Sequence, residues 1–145
     1  MDEPIEERRQ QAIEQVTGDM SLTENLSDSQ AEHMLSWATR SASWLAVQTA
    51  EMDEAEAAPY LEEKLAGLRK IIRRVNNLMG DLPDAAEDEV AEILEKVFRP
   101  VDDLPELGCQ VPDDLDALAA RLKDAEPDVA LAFLLTILSG EITTL

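Results

Sequence analysis

The sequence predicts an all-α fold: a helical bundle built on a long antiparallel hairpin, with helices at about 28–52 and 56–79 and about four shorter helices around it. Three observations predict this class. Apolar residues recur at spacings of three and four, no stretch keeps up strict apolar–polar alternation, and β-branched residues are few. A chain of 145 residues can bury a core without a metal or a disulfide, so residues 1–145 are treated as a single helical domain.

Start and stop signals define the first helix. Glu3 followed by Pro4 suits a cap and a first helical position, because a proline there gives up an amide that would have no helical partner. Gly18 suits the position just after the last turn. These signals place the first helix near 4–17, and a polar connection follows it.

A capping box predicts the start of the second helix. Ser27 with Gln30, or Ser29 with Glu32, has the required spacing, in which each side chain bonds the backbone amide of the other residue. From this start we expect one long helix that continues to about Met52.

The third helix has the most regular pattern. Pro59 is expected in its first turn or at a kink, and Gly80 at its end. The four basic residues of the stretch 69–74 (Arg69, Lys70, Arg73 and Arg74), called the basic stretch below, lie opposite the apolar arc and close to the end of the helix. The apolar residues at alternating spacings of four and three are Leu61, Leu65, Leu68, Ile72, Val75 and Met79.

A fourth helix and an irregular connection follow. Asp84 and Glu87 have the spacing of a capping pair, and Pro100 is expected to stop the helix. The next stretch, 99–112, contains three prolines, so we expect it to be irregular.

Two short helices are predicted in the remaining part, near 114–124 and 128–139. Pro127 separates them and Gly140 closes the last one. The last helix is apolar almost all around, which indicates burial in the core of the protomer or, as the alternative, a position between subunits.

The charge of the chain restricts its partners. It carries 32 acidic and 12 basic residues, for a net charge of −20, which disfavours direct binding to nucleic acid or to an anionic membrane surface. Residues 1–80 hold 15 acids and 8 bases, whereas residues 81–145 hold 17 acids and 4 bases. The longest apolar run, 129–138, is shorter than the ~20 residues of a membrane helix, and the acidic start is unlike a signal peptide. With a single cysteine, Cys109, we expect a cytoplasmic protein.

Residues that would indicate catalysis are scarce. His33 is the only histidine, so a metal site built on imidazoles is excluded, and nothing near it in sequence completes a nucleophilic set. All-α nucleotide pyrophosphohydrolases bind Mg²⁺ through Glu-x-x-Glu followed by Glu-x-x-Asp. The first half occurs here, as at Glu89 and Glu92, but the second half is absent. We therefore expect no enzyme activity and no cofactor.

Two features could carry binding. Trp37 and Trp44 are seven residues apart and share a face of the second helix, where they either seal the margin of the core or form an interface stripe. The basic stretch is either a solvated face that complements the helix dipole or a docking face for acids of this chain, of a partner or of a second copy. The candidate interface residues are Trp37, Trp44, Arg69, Lys70, Arg73 and Arg74.

Three hypotheses for the function follow. The first is a non-enzymatic protein–protein interaction module, such as an adaptor, an assembly factor or a small chaperone, with a protein partner or a second copy in a homodimer. The second is an acidic mimic of DNA that inhibits a nucleic-acid-binding protein. The third is a Mg²⁺-dependent all-α hydrolase. The acidity on which the first two hypotheses draw has an alternative explanation: in a saline cytoplasm, a high net charge maintains solubility.

Overall fold

The computed structural model describes residues 3–139 and confirms the all-α class. Within this range the chain forms six α-helices and three short 3-10 helices, with no strand. No helix in the described part of the chain combines the length and apolarity needed to cross a membrane. The α-helices are α1 (Glu3–Thr17), α2 (Asp28–Val47), α3 (Glu54–Asp81), α4 (Glu87–Phe98), α5 (Leu115–Asp124) and α6 (Pro127–Leu138). The 3-10 helices are Met20–Thr23, Arg99–Asp103 and Pro105–Leu107.

One hydrophobic core joins residues from all six α-helices. The predicted apolar arc of α3 faces this core: Leu65, Leu68, Ile72 and Val75 are buried, and only Leu61 is half-buried. Burial of such an arc stabilises the bundle because apolar surface is removed from water along most of the helix. The polar side of α3, with its basic stretch, is thereby turned outward.

The start of α2 is the one that the capping box predicts. The Gln30 amide donates to Ser27 Oγ at 3.2 Å, and the Ser27 amide donates to Gln30 Oε1 at 3.1 Å. Of the two alternatives, the structure therefore selects Ser27 with Gln30.

The predicted end of α2 near Met52 is wrong, because the helix ends at Val47. The guanidinium of Arg8, on α1, donates to the carbonyl of Thr49 at 2.7 Å and to that of Met52 at 3.1 Å. The Thr49 hydroxyl also bonds back to the carbonyl of Ala46 at 2.6 Å. These bonds provide hydrogen-bond donors for the carbonyls of a compact turn. In a continued helix, backbone amides of the next turn would be the donors.

α3 begins close to the predicted position. The carboxylate of Asp53 accepts a hydrogen bond from the Glu56 amide at 2.9 Å and so caps the helix. Pro59 lies in the second turn, on the exposed side, and the helix continues through it. Its missing amide leaves only the exposed Ala55 carbonyl without an intrahelical partner.

The sequence predicts that Gly80 ends α3, but the helix includes Gly80 and runs on to Asp81. A Cβ atom at Gly80 would lie 2.8 Å from Nδ2 of Asn25, so the glycine allows Asn25 to approach the helix closely. The Asn25 amide donates to Oδ1 of the buried Asn76 at 2.9 Å. These contacts place the residues just before α2 against the last turns of α3.

The predicted capping pair of α4 is not formed. The N-cap is Ala86, which offers no side-chain cap, and Asp84 lies in the turn that continues from α3. There the amides of Asp84 and Ala85 both donate to the carbonyl of Asp81. Acidic side chains in the first turn, such as Glu87, remain favourable beside the positive end of the helix dipole.

The stretch after α4 is more regular than the sequence predicts. Its two 3-10 helices together form the 99–107 segment (Arg99–Asp103 and Pro105–Leu107), which ends at Gly108 with φ 66°. Proline at an early position starts each of these short helices. The segment contributes to the core through buried Pro100, Val101, Leu104 and Leu107.

The last two helices have nearly the predicted bounds. The Ala117 amide donates to the carboxylate of Asp114 at 3.0 Å, which caps α5, and Pro127 is the first residue of α6. Gly140, the predicted end of the last helix, lies outside the described residues. Apolar side chains of α6 pack inside the protomer: Ala130, Leu131, Leu134, Leu135 and Leu138 are buried. The core of one chain therefore accounts for most of the apolar surface of this helix.

Candidate interaction surface

The basic residues of α3 point to two different sides of the helix. Arg69 and Arg73 lie toward the connection after α1, which carries the exposed Asp19. Hydrogen bonds from the hydroxyl and the backbone amide of Ser21 are the main cause of the lowered pKa of Asp19, and the positive charges of Arg73 and Arg69 lower it further. Lys70 and Arg74 instead line a groove on the other side of the helix. The sequence stretch is therefore not a single surface.

The α3 groove lies between α3 and the start of the 99–107 segment. It encloses about 350 Å³, which is within the ~300–1,000 Å³ range of ligand pockets. Three cationic side chains and two carboxylates surround small or apolar residues. The lining residues are Glu63, Ala66, Gly67, Lys70, Arg74, Arg99, Pro100 and Asp103.

Hydrogen bonds hold the two walls of the α3 groove together. Arg74 Nη1 donates to the carbonyl of Lys96 at 2.6 Å, and Lys64 Nζ donates to the carbonyl of Asp103 at 2.8 Å. Between these bonds, a Cβ atom at Gly67 would lie 3.6 Å from Leu104, an ordinary van der Waals distance. The groove is therefore already formed by packed secondary structure before any partner binds.

The cations of the α3 groove are largely without counter-ions. Within residues 3–139, neither Lys70 nor Arg74 has a carboxylate within salt-bridge distance, and Arg99 contacts only Glu95, at 3.7 Å on the exposed surface. An exposed pair of this kind contributes at most about 1 kcal/mol. The groove thus carries positive charge that the surrounding acidic surface does not neutralise at close range.

A partly buried polar cluster, the Glu106 cluster (Trp44, Tyr60, Lys64 and Glu106), fixes the far end of the 99–107 segment. Glu106 Oε1 accepts a hydrogen bond from Tyr60 Oη at 2.9 Å and pairs with Lys64 Nζ at 3.1 Å. Trp44 Nε1 donates to the carbonyl of Glu106 at 2.6 Å. The other carboxylate oxygen, Glu106 Oε2, is buried and has no hydrogen-bond partner among the described residues.

The pKa values of the Glu106 cluster follow from burial and hydrogen bonding. Burial raises the pKa of Tyr60 to about 12, and its contact with Glu106 acts in the same direction. Burial alone would raise the pKa of Glu106, but hydrogen bonds from its own amide, Lys64 and Tyr60 outweigh this effect and lower it. At neutral pH the cluster is therefore a carboxylate held by an ammonium and a neutral phenol, an arrangement that suits a structural anchor.

Trp37 lies in the interior of the protomer, and Trp44 lies at the margin of the core. Trp37 is completely buried, and its Nε1 has no partner among the residues from 3 to 139. Trp44 is half-buried and is held by its bond to the Glu106 carbonyl. In this arrangement neither indole forms an exposed stripe, so the tryptophans support the fold and the basic residues remain as the candidate interface.

The residues that would indicate catalysis are dispersed. In the part of the chain that the structure describes, no three or more His, Cys, Asp and Glu side chains converge as metal ligands. His33 is exposed beside α6. Burial raises the pKa of Cys109 to about 11, so at neutral pH its thiol, 3.4 Å from the Ile137 carbonyl, is almost entirely protonated and weakly nucleophilic.

Sequence reasoning missed Arg8, Arg99 and Glu106. Arg8 had a detectable signal, because it lies four and eight residues before the buried Ala12 and Val16 and so continues their stripe. Glu106 and Arg99 had none, since their importance depends on α3, which is distant in sequence. Only the folded chain brings them to the groove and its anchor.

The basic pair outside the groove gives a prediction of small effect. The double variant Arg69→Glu, Arg73→Glu should stay folded, with a loss of about 1 kcal/mol or less, because neither residue has a close ion pair within residues 3–139. Urea unfolding followed by circular dichroism, at low and high salt, measures this loss. A decrease of several kcal/mol would show that these arginines hold the fold.

Comparisons with other proteins add no assignment: no family model, no curated protein and no solved structure matches this chain.

Proposed function

We propose that the protein is a non-enzymatic interaction module and that its α3 groove binds an acidic segment of a protein partner. The observation that carries this proposal is the cationic end of the groove. Lys70, Arg74 and Arg99 line one preformed concavity, and of these three only Arg99 has an ion pair among the described residues, with Glu95 at the exposed surface, although the chain has a net charge of −20. Hydrogen bonds from guanidinium and ammonium groups to carboxylates are about twice as strong as those between neutral groups.

The rigidity of the groove favours binding. Arg74 is already oriented by the Lys96 carbonyl, and the wall that carries Arg99 and Asp103 is held by Lys64. Arg74 is therefore already ordered when a partner segment binds, which avoids a cost of about 0.5–1.5 kcal/mol for immobilising that side chain.

The acidity of the remaining surface favours a short partner segment over a long polyanion. Residues 81–145 alone hold 17 acids against 4 bases, so a nucleic acid that extends beyond the groove would be repelled. A polypeptide can place one or two carboxylates in the groove, while its remaining residues are neutral or positively charged. This chemistry favours a polypeptide over a nucleic acid as the ligand of the groove.

Two paired charge reversals test the proposal. The variant Lys70→Glu, Arg99→Glu changes the cationic end of the groove, whereas Arg69→Glu, Arg73→Glu changes the other side of α3. Each reversal changes the charge by two, so both variants carry −24 from a starting value of −20. With a fluorescein-labelled, aspartate-containing peptide as probe, we expect the first variant to bind at least about tenfold more weakly, or about 1.4 kcal/mol.

The control variant should bind within about twofold of the wild type once salt screens the overall charge. Fluorescence anisotropy at low and physiological salt gives both dissociation constants. Equal weakening in the two variants would mean that only net charge matters. Light scattering of the peptide-free protein checks whether a second copy occupies the groove instead, in which case the Lys70→Glu, Arg99→Glu variant would dissociate a dimer.

A further inference from the structure

The acidic and basic residues of the α3 groove lie at opposite ends of it, and two hydrogen bonds show this arrangement. Lys64 on α3 reaches the carbonyl of Asp103, and Arg74 reaches the carbonyl of Lys96. α3 and the opposite wall therefore run in opposite directions. As a result Glu63, next to Lys64, shares one end of the groove with Asp103.

The cationic residues occupy the other end. Lys70 and Arg74 lie seven and eleven residues beyond Glu63 on the same helix, which corresponds to about 10 Å and 16 Å along the axis. Arg99 lies near Lys96, at the Arg74 end. The groove is therefore bipolar, with two carboxylates at one end and three cations at the other.

The acidic end of the groove also lacks close counter-ions. Within the described range, the carboxylates of Glu63 and Asp103 form no salt bridge, because the nearby Lys64 is paired with Glu106. A segment with carboxylates along its whole length would place some of them beside Glu63 and Asp103, where like charges repel. A basic side chain at this end turns the repulsion into attraction.

We propose that the α3 groove selects a bipolar peptide segment, with an acidic residue at the Lys70–Arg74–Arg99 end and a basic residue at the Glu63–Asp103 end. The spacing between the ends, about 10 Å or more, is covered by about three extended residues. Ala66, Gly67 and Pro100 form a small and largely apolar middle section, which suits small residues between the charged ones. The inference rests on the proposed binding function and adds its specificity.

Two blocked hexapeptides with a fluorescent label test the inference. The bipolar peptide has two aspartates at one end, a glycine and a serine in the middle, and two lysines at the other end. The all-acidic peptide has aspartates in place of the lysines. For the wild-type protein at physiological salt, fluorescence anisotropy should give a dissociation constant at least about tenfold lower for the bipolar peptide.

Reversing the acidic end should reverse this preference. Glu63 and Asp103 are both exposed, so lysine can replace each of them without disturbing the core. In the variant Glu63→Lys, Asp103→Lys, the all-acidic peptide should become the tighter ligand. The matched control Glu62→Lys, Asp102→Lys alters sequence neighbours of these two residues that lie outside the groove. Each of the two substitutions raises the net charge by two, so both variants change the net charge from −20 to −16. The control should keep the wild-type order of the two peptides.

The outcomes separate the inference from the function on which it rests. If the wild type binds both peptides equally, or prefers the all-acidic one, the bipolar selection is wrong while the groove remains a site for acidic segments. The same conclusion follows if both charge-reversal variants change the order alike. If the wild type binds neither peptide, the proposed function fails together with the inference.

Discussion

Replacing Arg8 with methionine is expected to lower the free energy of unfolding by about 2–4 kcal/mol. The side chain is only 9% exposed and donates to the carbonyls of Thr49 and Met52 and to the Thr49 hydroxyl. Methionine fills much of the same volume but donates no hydrogen bond, and each buried carbonyl left without a donor costs about 1–3 kcal/mol. The contact with Glu54, which is 81% exposed, adds little.

Arg9→Met is the matched control, because it removes the same charge from the same helix. Arg9 donates to Ser43 Oγ at 2.8 Å and pairs with Glu6 on a partly exposed surface, so its loss should cost about 1 kcal/mol or less. Urea unfolding of the two variants beside the wild type gives both values. Equal losses would mean that the turn after α2 does not depend on Arg8.

Replacing Glu106 with alanine is expected to destabilise the protein by about 2–3 kcal/mol at neutral pH. The Lys64 and Glu106 side chains are 16% and 19% exposed, so solvent screens their interaction only in part. Without the carboxylate, the Lys64 ammonium stays largely buried without its counter-ion, and the Tyr60 hydroxyl loses its acceptor. Tyr60→Phe is the control, since it removes one hydrogen bond and keeps the ion pair, for a loss of about 0.5–1.5 kcal/mol.

The pH dependence of this effect follows from the direction of the pKa shift. The pKa of Glu106 is lower in the folded state than its ordinary value of 4.5, so the unfolded state binds the proton more readily. The stabilisation is complete above that ordinary value and is lost as the pH falls through the lower, folded-state pKa. The difference in stability between wild type and Glu106→Ala should therefore shrink on acidification. A difference that grows toward low pH would contradict this role of the carboxylate.

Local rules predict those parts of the fold that depend on neighbours in sequence. The three-and-four spacing of Leu65, Leu68 and Ile72 identifies the buried face of α3, because a helix buries whichever stripe is apolar. The Ser27–Gln30 capping box likewise involves residues three apart. Both are properties of a few turns, so the sequence is sufficient for them.

Rules of this kind fail where a distant side chain decides the structure. α2 stops at Val47 because Arg8, about forty residues earlier, takes the carbonyls of the next turn. Gly80 looks like a helix terminator, yet it lies within α3 because Asn25 needs the space. A short-range pattern contains no information about either contact.

The candidate site shows the same division. The sequence identifies Lys70 and Arg74 as part of a basic stretch, but it groups them with Arg69 and Arg73, which face the Asp19 side. Arg99, the third cation of the groove, comes from a segment that the sequence predicts to be irregular. The anchors that place this segment beside α3 are hydrogen bonds, partly buried or exposed, between residues 22 to 62 positions apart.

The most direct test of the account is a titration of the ¹⁵N-labelled protein with the bipolar hexapeptide, followed by amide chemical shifts. If the α3 groove is the binding site, saturable shifts should be concentrated there, at Ala66, Gly67, Lys70, Arg99 and Asp103. Amides near His33 and Arg40, which line a separate groove against α6, should stay unchanged. Saturable shifts centred on that second groove, or no saturable shifts at all, would contradict the claim that the α3 groove is the binding site.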